Sequence, residues 1–240
     1  MIIKYKPQGQ TLGQLTREVQ EEVNDKICYI GRLDPLASGL VCFLVGDECV
    51  SSKSRLHSDK TYCFNLILGI STDAGDALGL IQKMGVVSLD DIDVADIVKK
   101  YNNYTYEQEY PMYSSYEIRV GGLKKPLWYF AKNGIPIDKI PTHQITVNQL
   151  ESTGEPTLIT SASYFIEQIS KIDEQKSRLR KGEVIKQYQA LGEISLVSIP
   201  LIAKVSGGAY IRRLCEDIGV EYGIPAIADS IERVAYHFPQ

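Results

Sequence analysis

Gly31-Arg32-Leu33-Asp34-Pro35-Leu36-Ala37-Ser38-Gly39-Leu40 interrupts an apolar block that runs from Ile27 to Val45. Glycines at 31 and 39 and a proline at 35 break regular structure, so the block divides around a turn. The aspartate within it has two readings. It caps a helix or turn, with Pro35 in the first helical position and Gly39 ending the excursion. Alternatively it is a carboxylate held rigidly at a turn and projecting into a cleft. Aspartate is ionised at neutral pH without special tuning, so there it serves as nucleophile or base.

Two more stretches share this mixture of chemistry and punctuation. In Ser206-Gly207-Gly208-Ala209-Tyr210-Ile211-Arg212-Arg213-Leu214, paired glycines permit close backbone approach and a helix follows at once. Arg212 and Arg213 then sit near a helix start, where the dipole disfavours cations. Such a local conflict is resolved by a waiting carboxylate or phosphate, or the two arginines are simply solvated at the surface. Asp59-Lys60-Thr61-Tyr62 opens an apolar strand, and period-two alternation puts Lys60 and Tyr62 on one face. A tyrosine there is half-buried packing or a platform on which a base stacks.

The remaining pattern alternates helix and strand. A short strand over Met1–Tyr5 and a turn at Pro7-Gln8-Gly9 precede a helix capped by Thr11, with Leu12, Leu15 and Val19 at helical spacing. Thr61–Ile70 reads as a strand, Ser88–Tyr101 as an acidic amphipathic helix, and Glu167–Ala190 as a charged helix. Six tyrosines fall between Tyr101 and Tyr116. Ile194–Val205 is a strand interrupted by Pro200, and a helix is expected from about Tyr210 to Val220. No linker or repeat divides the chain. The expectation is a single α/β domain over 1–240 with a helical insertion at about 155–191.

The 240 residues carry 26 Lys and Arg against 30 Asp and Glu, a net charge of −4. That argues against coating nucleic acid by bulk charge, though not against a local basic groove. No run of about 18 apolar residues is present, and the opening residues lack a signal-peptide pattern. Five cysteines without a C-x-x-C pair read as buried free thiols in a reducing, cytoplasmic setting. Three histidines far apart make a metal site improbable. Phosphate-loop, dinucleotide, serine-hydrolase and zinc-protease motifs are all missing. A hydrolase using Asp34 with Asp73 or Asp76 requires those carboxylates within about 5–10 Å of each other.

Taken in order, these features resemble the TruB family of tRNA pseudouridine synthases. Leu33-Asp34-Pro35-Leu36-Ala37-Ser38-Gly39-Leu40 is similar to the family's pattern around its catalytic aspartate. Lys6-Pro7-Gln8-Gly9 matches its K-P-x-G opening. Lys60, Tyr62, Leu68-Gly69, Thr72-Asp73 and Asp76-Ala77-Leu78-Gly79 match its K-x-Y strand and the run after it. Gln108-Glu109-Tyr110-Pro111-Met112-Tyr113-Ser114-Ser115 is similar to Q-x-P-x-Y-S-A. Lys124-Lys125-Pro126-Leu127 and Ala131-Lys132-Asn133-Gly134-Ile135 fall in its K-x-L-Y-x-x-A-R-x-G-I segment. Gly208-Ala209-Tyr210-Ile211-Arg212-Arg213-Leu214 matches G-T-Y-I-R-T-L. Only about Glu155 to Leu191 lies outside the resemblance.

The resemblance implies a mixed, largely antiparallel central sheet flanked by helices, with a catalytic cleft across it. It implies isomerisation of uridine to pseudouridine in RNA without a cofactor, at the T-loop uridine, position 55, of tRNA. Asp34 would be nucleophile or base, Tyr62 would stack on the base and help remove the last proton, and Arg212 would pair with Asp34. RNA contacts would fall to Lys6, Tyr29, Arg32, Lys60, Arg119, Lys124, Lys125, Lys132 and Arg213, with Lys53 and Arg55 beside Lys60. The partner would be tRNA through its T-arm or another structured RNA, the protein a monomer.

The chain departs from the family pattern at several points. Tyr29 stands where the family has a histidine, and Gly31-Arg32-Leu33-Asp34 is similar to the G-R-L-D of the RsuA-type synthases. Glu117 and Glu232 replace basic residues. The sequence reaches Gln240 without the PUA domain of bacterial and archaeal relatives. The basic stretch from Lys171 to Lys186, with six basic and three acidic side chains, is a substitute RNA-binding arm or a solvated helix over a sheet edge. A protein that binds or folds RNA on a decayed site is the rival to an enzyme.

Overall fold

A computed structural model describes residues 1–51, 57–172 and 179–238. The first elements are β1 (Ile2–Lys6), α1 (Leu12–Glu22), β2 (Ile27–Ile30), β3 (Ser38–Val45) and β4 (Asp59–Leu68). There follow β5 (Ile70–Thr72), β6 (Ile81–Met84), α2 (Val94–Tyr101), β7 (Tyr104–Glu109), β8 (Glu117–Val120) and β9 (Leu123–Pro126). Next come α3 (Leu127–Lys132), β10 (Thr142–Ser152), β11 (Thr157–Ser161), α4 (Ser163–Ser170) and α5 (Lys181–Leu191). The last are β12 (Glu193–Val205), α6 (Ile211–Glu221) and β13 (Ala226–His237).

Nine strands make the main sheet, in the order β1-β3-β13-β4-β12-β10-β7, with β2 on β3 and β11 on β12. The pairings are antiparallel except a short parallel contact of β13 with β3, Glu232 to Ser38 and Arg233 to Gly39. The sheet is therefore mixed and largely antiparallel, as expected. Strands from both ends of the sequence meet at its centre, where β4 lies between β12 and β13.

Alternation along β4 sets the two faces. Tyr62, Phe64 and Leu66 are buried on one side, where α1, α2 and α6 cover them with Leu15, Val19, Ile97 and Leu214. Ile67 points the other way, joined by Leu196 of β12 and Ile227 of β13. Phe165, Ile169, Val184 and Tyr188 of α4 and α5 cover that face. Fully burying each such side chain is worth about 1.5–3 kcal/mol, so the segment expected as an insertion forms a second core layer. Residues 173–178 of the basic stretch lie outside the described residues.

Thr11 caps α1 as expected, in a reciprocal capping box with Gln14. Three other expectations are corrected. Ser88–Tyr101 is a 3-10 turn (Leu89–Asp91) and then a short helix, because Ser88 and Asp93 each accept backbone N–H groups and start separate turns. Glu167–Ala190 is parts of two helices. Pro200 does not break its strand: Thr153 N–H donates to the Pro200 carbonyl where β10 hands over to β11, so the missing ladder donor falls between partners. Cys42 and Cys215 are buried, whereas Cys28, Cys49 and Cys63 are only half-buried.

Candidate active site

The site is built around the start of α6. Gln108, buried on β7, accepts from Tyr210 N–H at 2.8 Å and donates to the Tyr210 carbonyl at 3.2 Å. That clasp fixes the turn from which Arg212 emerges. Arg212 is 3% exposed, and its Nε donates to Asp34 Oδ2 at 2.8 Å. Its terminal nitrogens donate to the carbonyls of Ala74 and, at 3.1 Å, Tyr113. Asp76 Oδ2 lies 3.8 Å from the same Nε. Two carboxylates thus offset the helix dipole that disfavours this cation.

Asp34 lies in a turn rather than at a helix start: Ala37 N–H donates to its carbonyl at 3.1 Å, and β3 begins at Ser38. The turn is gripped from below. Arg233 is fully buried and donates from Nε to Leu40 O at 2.8 Å and from its terminal nitrogens to Arg32 O and Gly31 O, each at 3.3 Å. Gly39 is obligatory there, with φ +111° and space for no Cβ, which would fall 2.3 Å from the Arg233 carbonyl. With its side chain 39% exposed, Asp34 is held by a buried cation yet opens to the cleft.

The cleft has a volume of about 500 Å³ and is lined by Asp34, Lys60, Tyr62, Arg212 and Arg233. Tyr62 reaches it from β4, in register with Ala203 and Arg233 of the flanking strands. The three residues expected to act together therefore share one cavity. Tyr110, His143 and Tyr210 form part of its wall. Tyr110 stacks on His143 at 4.2 Å and on Tyr116 at 3.7 Å between ring centroids. These aromatic residues and Arg233 were not assigned from sequence. Arg233 had a readable signal, a charge at alternating spacing with Ile231 along a buried row. The aromatic wall had none beyond the density of tyrosines.

The expected RNA-binding residues separate into groups. Arg119, Lys124, Lys125 and Lys132 are exposed on the β8–β9 hairpin and α3, with Lys124 bridged to Glu117 at 2.8 Å. Arg32 is exposed at the cleft, 5.9 Å from the ring of Tyr29, which packs against the core instead of lining the cavity. Lys60 is buried at the cavity floor and donates to Ser58 O at 2.6 Å, and burial lowers its pKa to about 8. Lys53 and Arg55 lie outside the described residues.

Two assignments are corrected. Lys6 is fully buried, donating to the carbonyls of Gln10 (2.7 Å), Pro7 (3.1 Å) and Pro35 (3.4 Å), so it supports the Asp34 turn and reaches no phosphate. Desolvation lowers its pKa to about 8, against the attraction of Asp34. Arg213 is enclosed by Asp217 at 2.7 Å, Glu109 at 3.3 Å and Glu216 at 3.8 Å, a cage that neutralises it. Glu232 accepts from Tyr5 Oη at 3.0 Å.

Behind Arg212 the electrostatics are acidic. Burial raises the pKa of Asp76 to about 6, against the pull of Arg212, and that of Glu216 to about 7, against Arg213 and Arg212. Asp76 also accepts from Leu78 N–H at 2.9 Å. Asp73 is committed elsewhere, to Arg180 at 2.7 Å.

Solved structures share this sheet and its connections. The superposition on a Cbf5–Nop10–Gar1 complex has a TM-score of 0.54 at 16% identity, covering 97% of this chain and 47% of that one. An H/ACA ribonucleoprotein bound to a substrate RNA containing 2′-deoxyuridine gives 0.52 at 15%, over 97% and 45% of the two chains. The chain shares the fold of these two structures. Residues 17–160 match the family model described as TruB family pseudouridylate synthase (N terminal domain), and the chain belongs to the TruB family. It is similar to tRNA pseudouridine synthase B of Mesoplasma florum, 32% identical over 152 residues, covering 62% of this chain and 51% of that protein. For the protein of the same name from Azoarcus sp. the figures are 28% over 236 residues, 98% and 64%. The chain spans about half to two thirds of the length of the curated relatives it matches.

Proposed function

We propose that this protein isomerises uridine to pseudouridine in RNA, with the T-loop uridine of tRNA, position 55, as its target. The observation that carries the reading is the pairing of a cleft-facing Asp34 with a buried Arg212 in the cavity that Tyr62 lines. In this reading Asp34 attacks the ribose anomeric carbon or removes a ribose proton. The bond from the anomeric carbon to uracil N1 breaks, the base rotates within the cavity, and a bond from the same carbon to C5 forms as Asp34 leaves that carbon or returns the ribose proton. The C5 proton then leaves, with Tyr62 assisting, and N1 gains one. Nothing is gained or lost overall, so the side chains supply a nucleophile or base, proton transfer, position and charge, and no cofactor is needed. Arg212 orients the carboxylate and offsets its charge at each stage.

The uridine must leave its stack to reach the cavity, at a cost of a few kcal/mol, and stacking on an aromatic ring returns about 1–3 kcal/mol per base. Arg32, Arg119, Lys124, Lys125 and Lys132 would hold phosphates around it, consistent with relatives named tRNA pseudouridine synthase B. The test is incubation with unmodified tRNA and mapping of pseudouridine by carbodiimide labelling and primer extension. Conversion by the wild type and none by Asp34→Asn is the expected result. RNA binding by both without conversion would overturn the enzymatic reading.

A further inference from the structure

The segment outside the sequence resemblance reaches the site through Arg180, among its described residues. Arg180, immediately before α5, donates to both oxygens of Asp73, at 2.7 and 2.8 Å, and its guanidinium lies 4.6 Å from the ring centroid of Tyr113. Asp73 and Tyr113 belong to the two backbone segments that hold Arg212. The carbonyl next to Asp73, that of Ala74, accepts from Arg212, and so does the carbonyl of Tyr113 at 3.1 Å. Asp73 also locks its own loop, accepting from Leu80 N–H at 2.8 Å while its N–H donates to Leu80 O at 3.0 Å. That loop carries Asp76. Arg180 thus grips both walls of the Arg212 socket at once.

We propose that Arg180 is a positioning residue, holding Arg212 against Asp34 through the 73–80 loop and Tyr113. The proposal rests on the function proposed above. The mount is rigid, because Val184 and Tyr188 anchor α5 in the second core. A planar fork fits this position, since it meets a carboxylate with two parallel bonds while its face packs on a ring. A lysine keeps the charge but forms only one such bond. An ordinary half-exposed ion pair would contribute little to stability and nothing to rate.

The experiment compares wild type, Arg180→Gln and Arg180→Lys in single-turnover pseudouridine formation on an unmodified tRNA transcript, with the RNA dissociation constant measured separately. Arg180→Gln is expected to slow conversion about 10–100-fold, as displaced catalytic groups do, with affinity within about twofold of wild type. Arg180→Lys should recover part of the rate. Combining Arg180→Gln with Asp73→Asn should cost no more than the more damaging single change. A second readout needs no turnover: in RNA-free protein the Arg212 Nε–H nuclear magnetic resonance signal should exchange slowly with water in wild type and rapidly in Arg180→Gln. An unchanged rate, or a lower rate with that signal unaltered in the folded protein, overturns the proposal. If wild type converts no RNA, the functional reading falls, while the exchange of the Arg212 signal still decides whether Arg180 positions it.

Discussion

Arg212 and Asp34, 178 residues apart in sequence, are joined by an Nε–H to Oδ2 hydrogen bond of 2.8 Å in the lining of the cleft. The cation is buried and the carboxylate is not, so the partners respond differently to substitution. Asp34→Asn keeps an acceptor for Arg212 and should fold normally while losing at least about a thousandfold in conversion, as removal of a reacting group does. Arg212→Met leaves Asp34 and Asp76 facing each other without their cation. Its unfolding free energy in urea should drop by about 3 kcal/mol, and a fall below about 1 kcal/mol would contradict the electrostatic role given to it.

Asp76 and Glu216 make stability fall as the site is deprotonated. Their ordinary values are 3.8 and 4.5, and burial moves them to about 6 and about 7. Each binds its proton more tightly folded than unfolded. The stabilisation is therefore complete below about pH 4 and is lost as pH rises through 6 and 7. Asp76→Asn retains an oxygen for Leu78 N–H but cannot ionise. Its unfolding free energy should vary less between pH 4 and 7 than that of wild type, by on the order of 2–3 kcal/mol. Parallel curves for the two proteins would refute the assignment.

Lys6 separates support from RNA contact. Lys6→Met removes the donor shared by three carbonyls and should destabilise the protein by about 2–4 kcal/mol, the consequence of leaving buried acceptors unpaired. Its RNA affinity should keep the salt dependence of wild type, measured on folded protein. A shallower slope would return Lys6 to the RNA surface.

The exposed cations of the hairpin and α3 should behave in the opposite way. Replacing Arg119, Lys125 or Lys132 with glutamine should leave the melting temperature unchanged. Each should reduce the slope of log affinity against log salt by about 0.7–0.9 for every phosphate the variant no longer neutralises. Arg213→Gln should not, since three carboxylates already occupy that guanidinium. Affinity titrations at several salt concentrations distinguish the two classes.

Much of the site was legible because its residues sit at punctuated positions. Gly31, Pro35 and Gly39 mark a turn in any fold, and the two arginines after Gly207-Gly208 announce a missing counter-charge. That route singled out the stretches holding Asp34 and Arg212, the resemblance to the TruB family implied their pairing, and alternation placed Lys60 and Tyr62 on one face. The Ser88–Tyr101 helix was misread because local capping by Ser88 and Asp93 competed with its apolar period. Lys6 and Arg213 were misread because a charged residue in a short strand or first helical turn carries no mark of what lies opposite. Arg180 went unassigned for the same reason, whereas the alternation of Arg233 with Ile231 was a mark left unread.

The sequence by itself determined the segments: where the chain turns, which helix is capped by Thr11, and which face of β4 is apolar. These depend on backbone geometry and nearest neighbours, which a short window contains. Only the tertiary structure decided which cations bind carbonyls, which meet carboxylates and which remain in water. A charge's role is set by the groups that converge on it from distant strands and loops, as the Gln10 and Pro35 carbonyls do on Lys6 and Asp73 does on Arg180. That convergence comes from packing both faces of one sheet, and no single stretch of the chain encodes it.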